Sequence, residues 1–129
     1  MPGYYLFLDD IRYPSDVLWV QIPRDHVYEV VRSYDEFVSH IINNGIPNFV
    51  TFDHDLADEH YVAMLQECEG KEHVDYGVEK SGYDCAKWLV HHCAEIGLMF
   101  PNYMVHSMNP IGKERIDAYI ANAKKHLNI

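Results

Sequence analysis

Short runs of apolar residues alternate along the chain with longer stretches in which apolar residues recur every three or four positions. The short runs are rich in aromatic and β-branched residues and therefore predict strands, over residues 4–8, 26–32, 48–52 and 102–106. The longer stretches have the helical period and cover residues 33–45, 82–96 and 110–126. Because strands alternate with helices, we expect a single α/β domain over residues 1–129, with a parallel sheet of about four to five strands flanked by helices.

Capping residues mark the ends of the predicted helices. They are Ser33 or Asp35 and Gly45 for the first helix, Ser81 and Gly97 for the second, and Asn109-Pro110 at the start of the third. The helical period also predicts which residues face the core. They are Phe37, Val38, Ile41 and Ile42; then Ala86, Leu89, Val90 and Cys93 with either Tyr83 or Cys85; and last Ile116, Ile120, Ala123 and Leu127.

Residues 12–25 depart from the regular alternation. A doubly wound sheet normally has a helix after its first strand, but this stretch contains Pro14 and Pro23 and has no helical period. We therefore expect the first crossover helix to be missing or irregular. Trp19, within this connection, is expected to pack over the edge of the sheet or to stack on the base of a ligand.

Two further segments follow the third strand. Residues 56–66 carry Tyr61, Met64 and Leu65 and predict a short helix. Residues 67–80 contain five acids and two glycines with little periodicity. A long aperiodic connection in a compact domain is usually functional, so we interpret residues 67–80 as an excursion or lid.

Composition narrows the classes of protein. The formal net charge of −10 argues against an extended nucleic-acid surface, which needs a basic footprint. Apolar runs are far shorter than the roughly 18 residues of a membrane span. The N-terminus resembles no signal peptide, so we expect a soluble cytoplasmic protein with no membrane partner. Three cysteines without CxxC spacing predict reduced, packed thiols.

Polar residues follow three of the predicted strands directly. Asp9 and Asp10 follow the first strand; Asp53, His54 and Asp55 follow the third; and His106 and Ser107 end the fourth. The carboxyl ends of parallel strands share one edge of the sheet, where ligands of α/β proteins bind. Four carboxylates gathered there would repel one another unless a divalent cation neutralised them. The alternative is that these aspartates only cap turns and helices.

The same edge of the sheet should attract phosphate. Arg12 follows the first acid pair and can form a two-pronged contact with a phosphate group. Lys113 lies in the first turn of the last helix, and Lys80 and Ser81 precede another helix start, where backbone amides favour anions. Solvent-exposed lysines are the alternative. His54 and His106 are candidates for acid–base chemistry, although a lone histidine is more often a core residue.

Four motifs together resemble the cyclic-phosphate processing receiver domain family, a group of small bacterial and phage proteins related to response-regulator receivers. They are residues 8–14 (LDDIRYP), 52–56 (FDHDL), 79–84 (EKSGYD) and 105–113 (VHSMNPIGK). The resemblance spans nearly the whole chain. It implies a receiver-like (flavodoxin-like) fold and the processing of cyclic phosphates on RNA ends or nucleotide derivatives. It also implies a cytoplasmic location, in the host cytoplasm if the chain is phage-encoded.

The resemblance implies roles for individual residues. Asp9 and Asp10 resemble the acid pair that holds Mg²⁺ in receivers, Asp53 resembles the phosphoryl-accepting aspartate, and Ser107 resembles the hydroxyl residue after strand four. The chain also departs from receivers: it lacks the first helix, Asp53 is followed by His-Asp, and no fifth strand ends in the usual lysine, which Lys113 could replace only loosely. These departures argue against phosphorelay signalling.

Two functions follow from these observations. The first is a metal-assisted phosphoesterase acting on a cyclic phosphate of a nucleotide derivative or an RNA end, with Mg²⁺ or Mn²⁺ as cofactor. In that function Asp9, Asp10 and Asp53 bind the metal; Asp53, His54, Asp55 and His106 are catalytic; and Arg12, Lys80, Ser81, Ser107, Asn109 and Lys113 bind the substrate. The alternative is a binding module that sequesters a small phosphorylated nucleotide without turnover. A receiver phosphorylated on Asp53 is a third, weaker hypothesis, and a homo-oligomer is compatible with all three.

Overall fold

The computed structural model describes residues 3–56 and 80–129, and these form a parallel sheet with helices packed on it. The strands are β1 (Tyr5–Leu8), β2 (Tyr28–Val31), β3 (Phe49–Phe52) and β4 (Asn102–Val105). The helices are α1 (Tyr34–Asn44), α2 (Gly82–Ile96) and α3 (Pro110–Leu127). The small receiver-like α/β fold expected from the sequence is therefore confirmed.

The order and register of the strands decide where the functional residues lie. The sheet has the order β2-β1-β3-β4, and every neighbouring pair is parallel. Leu8 is opposite Val31 on one side and Phe52 on the other, and Phe52 is opposite Val105. The last residues of all four strands thus form one row. Asp9, Asp53 and His106 each follow this row directly.

The main core lies between the sheet and the helices. Leu6, Leu8, Val50 and Phe52 alternate with residues of the opposite face, as strand geometry requires, and they pack against α1, α2 and α3. The opposite face carries a smaller cluster, in which Phe7 packs against Val17 and Ile22 of the connection between β1 and β2.

This connection confirms that the regular first crossover helix is missing. It contains one 3-10 turn, Pro14–Asp16, and otherwise irregular backbone. Arginine side chains anchor it instead: Arg24 donates to the carbonyls of Pro14 and Val17, and Arg32 donates to the carbonyls of Asp9 and Arg12. A segment without helical hydrogen bonds is thereby fixed over the sheet.

Two residues predicted to face the core do not. Ile42 is 61% exposed and Leu127 is 46% exposed. Helix α1 buries only the narrow stripe of Phe37 and Ile41, and Ile42 lies about 100° further round the helix. At the end of α3, Asn128 adopts a left-handed conformation that turns the chain back, so Ile129 enters the core in place of Leu127.

Other elements match their prediction to within a residue or two. Helix α2 begins and ends as expected, with Ser81 as its N-cap and Gly97 as its C-cap, while β2 is shorter than the predicted strand over residues 26–32. Cys85 and Cys93 are buried free thiols, as expected. The predicted helix over 56–66, except Leu56, and the predicted lid over 67–80, except Lys80, lie outside the described residues. Among the described residues, no helix combines the length and the apolar character of a membrane span.

Candidate functional site

The row of strand ends brings three potential metal ligands together. Asp9, Asp53 and His106 each offer one ligand atom, and these atoms lie within 4.8 Å of one another. All three side chains are buried. The close group at this edge of the sheet, here called the trio, thus consists of two of the predicted aspartates and His106. Asp10 and Asp55 lie beside it.

Asp9 is held by four contacts. The backbone turns directly after β1, so that Oδ1 of Asp9 accepts hydrogen bonds from the amides of Ile11 (3.0 Å) and Arg12 (2.9 Å). Its Oδ2 lies 3.0 Å from Nε2 of His106 and 3.6 Å from the guanidinium of Arg12. Burial alone would raise the pKa of Asp9, but the hydrogen bonds from His106 and the two amides lower it to about 2. Asp9 is therefore expected to be ionised at neutral pH.

His106 is fixed on every side. Its Nδ1 lies 2.8 Å from Oγ1 of Thr51, and its Nε2 faces Asp9. The ring stacks on Phe7 at a centroid distance of 4.6 Å, and the backbone carbonyl accepts a 2.7 Å hydrogen bond from the indole of Trp19. A histidine with a partner at the second ring nitrogen is oriented in the way that metal-ligating histidines usually are.

Asp53 carries the unbalanced charge of the site. It is 4% exposed, and its Oδ1 accepts a 2.9 Å hydrogen bond from the amide of His54. Burial, followed by the negative charges of Asp9, Asp10 and Asp55, raises the pKa of Asp53 to about 8, although Arg12 acts in the opposite direction. The described residues around Asp53 therefore do not compensate a second carboxylate at this point, and an added cation would.

His54 and Asp55 form a pair next to the trio. Nδ1 of His54 lies 2.7 Å from Oδ1 of Asp55, and Oδ2 of Asp55 accepts a 3.1 Å hydrogen bond from the side chain of Asn109. His54 is almost fully buried under the start of α3, where a Cβ atom at Gly112 would lie 2.5 Å from its ring. Because Asp55 is still 24% exposed, it can meet solvent and His54 cannot.

The other predicted substrate-binding residues lie in different surroundings. Arg12 is at the acid cluster, and Ser107 lies next to it, where its hydroxyl accepts from the amide of Asn109. Lys113 instead pairs with Asp117 at 2.9 Å along α3. Lys80 lies over the ring of Tyr34, and the Ser81 hydroxyl is used in the N-cap of α2 with Asp84. The structure thus gathers Arg12, Ser107 and Asn109 at the strand ends and gives Lys80, Ser81 and Lys113 local partners.

Two residues and one contact of the site were not predicted from the sequence. Thr51 contacts His106, Arg32 fixes the backbone of Asp9 and Arg12, and the indole of Trp19 bonds to the His106 carbonyl. The signal for Thr51 was a polar residue within an otherwise apolar strand. The roles of Arg32 and Trp19 depend on how an irregular connection folds, and no periodic pattern predicts that.

Gly82, the first residue of α2, lies against the site strand. Its amide donates to the carbonyl of His54 at 2.8 Å, and a Cβ atom there would lie 1.7 Å from the carbonyl oxygen of Asp53. We expect Gly82→Ala to lower the free energy of unfolding by about 2–3 kcal/mol, because the backbone of either α2 or Asp53 must move. Urea unfolding would measure this loss.

Gly97→Ala is the matched control. Gly97 has a φ of 73° and open space around it, so the added methyl group costs only backbone strain, about 1 kcal/mol. An equal loss for the two variants would contradict the close approach of α2 to Asp53.

Comparison with known proteins places most of the chain in a known family. The family model described as the cyclic-phosphate processing receiver domain matches residues 4–122. No curated protein and no solved structure matches the chain. The matched range contains every candidate site residue described above.

Proposed function

The chain belongs to the cyclic-phosphate processing receiver domain family, and from this premise we propose that it is a metal-assisted phosphoesterase that opens a cyclic phosphate to a monoester. The observation that carries the proposal is the buried trio of Asp9, Asp53 and His106, with ligand atoms within 4.8 Å of one another. Its substrate is the cyclic phosphate of a small nucleotide derivative or of an RNA end.

The donor set of the trio fits a divalent cation. Two carboxylate oxygens and one imidazole nitrogen can all face a common point, and the raised pKa of Asp53, caused by burial and then by its acidic neighbours, reflects charge that a cation would offset. Carboxylates suit Mg²⁺ and Mn²⁺, and the imidazole favours Mn²⁺ of the two. When bound, the cation would supply positive charge to the phosphoryl oxygens.

The remaining residues of the site have distinct tasks in this proposal. Arg12 is 30% exposed and lies beside Asp9, where its guanidinium can hold two phosphoryl oxygens. Asp55 takes a proton from the attacking water, and His54 and Asn109 hold its carboxylate in place. We assign His106 the role of a ligand in place of the acid–base role expected from the sequence: its ring is fully buried, and its Nε2 would bind the cation in exchange for its hydrogen bond to Asp9.

The reaction balances without any further reactant. The oxygen of water forms a new bond to phosphorus, and one of the two ring P–O bonds breaks. Asp55 accepts the proton of the water and returns it through solvent to the freed hydroxyl group. The products are a phosphate monoester and an alcohol on the same molecule.

Phosphorus NMR tests the proposal directly. With a nucleoside 2′,3′-cyclic phosphate and Mn²⁺ or Mg²⁺, we expect the cyclic resonance to be replaced by a monoester resonance, and EDTA to stop the conversion. A nucleotide derivative with a 1″,2″-cyclic phosphate serves as the second substrate class. A ligand that binds and is recovered unchanged from the denatured protein, with metal present throughout, would contradict turnover and select a binding module.

A further inference from the structure

We propose that the indole ring of Trp19 is the platform on which the nucleobase of the substrate stacks, so that the protein selects nucleoside cyclic phosphates over cyclic phosphates without a base. That the ligand carries a cyclic phosphate rests on the proposed function. That it also carries a base is inferred from the surroundings of Trp19, and this gives Trp19 a binding role that neither the family match nor the acid cluster supplies.

Trp19 is fixed in place but remains open on the surface. Its indole N–H donates a 2.7 Å hydrogen bond to the carbonyl of His106, the residue that carries the imidazole of the site. The ring is nevertheless 37% exposed and belongs to neither apolar cluster of the described residues. A large aromatic ring that is immobilised without being buried loses little entropy when a ligand stacks on it. Trp88, by contrast, packs against the core beside Phe37.

Arg12 connects the ring to the phosphate end of the site. Its guanidinium carbon lies 5.1 Å from the centre of the Trp19 ring, and the same side chain lies 3.6 Å from Asp9. A ligand whose phosphate contacts Arg12 therefore has an aromatic surface within the reach of one sugar. This distance suits a nucleotide, in which the base and the phosphate are attached to the same ribose.

Two exposed apolar residues adjoin Trp19 and Arg12. Leu18 is 82% exposed next to Trp19, and Met108 is 62% exposed with its sulfur 3.5 Å from the guanidinium of Arg12. Grouped exposed apolar residues usually mark a binding surface, and a purely ionic ligand would have no use for them. The net charge of −10 disfavours long nucleic acid, so a single nucleotide unit is the fitting ligand.

Fluorescence tests this inference without requiring turnover. The sequence has two tryptophans, so Trp88→Phe leaves Trp19 as the only indole emitter. This protein is titrated in Mg²⁺ with a nucleoside 2′,3′-cyclic phosphate and with methyl riboside 2′,3′-cyclic phosphate, which has no base. We expect only the nucleoside compound to quench the emission. Phosphorus NMR titration should show it binding about 5- to 100-fold more tightly, the range that stacking on one aromatic residue provides.

Two variants separate stacking from the hydrogen bond to His106. Trp19→Leu removes both, and it should bring the two affinities to the same value by weakening the nucleoside compound more than the methyl riboside compound. Trp19→Phe removes the hydrogen bond but keeps a ring, and it should preserve most of the preference. Equal affinities in the wild-type protein, or equal losses for both ligands in Trp19→Leu, would overturn the inference even if hydrolysis is observed. A base preference that Trp19→Leu abolishes would sustain it even if no hydrolysis occurs.

Discussion

Asp53→Asn is expected to stabilise the protein by about 3 kcal/mol at pH 8–9 in the presence of EDTA. The carboxyl of Asp53 is 4% exposed, and burial together with the charges of Asp9, Asp10 and Asp55 raises its pKa to about 8. Asparagine has nearly the same shape and removes this charge. Its amide must also be buried, which offsets part of the gain.

The stabilisation by Asp53→Asn should depend on pH in a defined direction. Below about pH 4, Asp53 is protonated in both the folded and the unfolded chain, so the two proteins should differ little. Between about pH 4 and pH 8 the unfolded chain loses the proton while the folded chain keeps it, so the stability of the wild type falls as the pH rises. The variant lacks this fall, and its advantage should grow up to about pH 8 and then remain constant.

A divalent cation should remove most of this difference. The wild type gains about 2.7 kcal/mol when Mn²⁺ is present at 100 times its dissociation constant, whereas Asp53→Asn has lost a charged ligand and should gain much less. Asp25→Asn, which neutralises an exposed aspartate away from the site, is the control and should follow the wild type throughout. Thermal unfolding of the three proteins, with EDTA and with Mn²⁺, provides the measurement. Parallel pH curves for Asp53→Asn and the wild type would mean that Asp53 does not carry the unbalanced charge.

The strand ends show how far the sequence alone determines the site. Apolar runs that stop at Asp9, at Asp53 and at His106 predict parallel strands with those residues at one edge, and the register of β1, β3 and β4 places them side by side. This part of the site depends only on where each strand ends. Local pattern suffices because parallel strands in register align their last residues.

Side-chain direction beyond the strands could not be predicted in the same way. The chain bends at His54 as it leaves β3, so the alternation of a strand no longer applies to Asp55. Asp55 consequently pairs with His54 and Asn109, and the third member of the trio is His106. Which polar side chains converge depends on tertiary contacts such as the Thr51–His106 hydrogen bond.

A positive charge at a helix start has two possible partners, a bound anion or a neighbouring acidic side chain. Lys113 was predicted to bind phosphate because it lies in the first turn of α3, but its ammonium group is 2.9 Å from Asp117, one turn further along. A salt bridge between residues four apart on a helix is a local alternative to a ligand. Arg12 lies outside the helices of the described residues and beside Asp9 of the acid cluster, so Arg12 and Lys113 can be compared directly.

The comparison of Arg12 with Lys113 leads to the expectation that only the arginine contributes to substrate affinity. Arg12→Ala should raise KM and the dissociation constant of the cyclic phosphate by about 10- to 100-fold, the usual range for hydrogen bonds to charged groups. Its kcat should change less, because a guanidinium holds the phosphate in the ground state and the transition state alike. Lys113→Ala removes an equal charge and should leave both constants within about twofold of the wild type. A larger effect for Lys113→Ala would restore the role that the sequence predicted.

Substitution of residues that take part in the chemical step should lower kcat and leave the dissociation constant of the substrate nearly unchanged, the opposite of what is expected for Arg12→Ala. Asp55→Asn removes the proposed base while keeping a side chain that His54 and Asn109 can still contact, so we expect kcat to fall by about 10²–10⁴-fold with little change in the dissociation constant.

His106→Gln keeps a polar atom near Asp9 but removes the imidazole ligand, so its kcat should fall while the concentration of Mn²⁺ needed for half-maximal rate rises. Steady-state rates measured over a range of Mn²⁺, together with ligand affinity from phosphorus NMR, separate these effects. A kcat that survives Asp55→Asn would remove Asp55 as the base, and a loss of affinity in Asp55→Asn as large as its loss of kcat would assign Asp55 to binding and not to proton transfer.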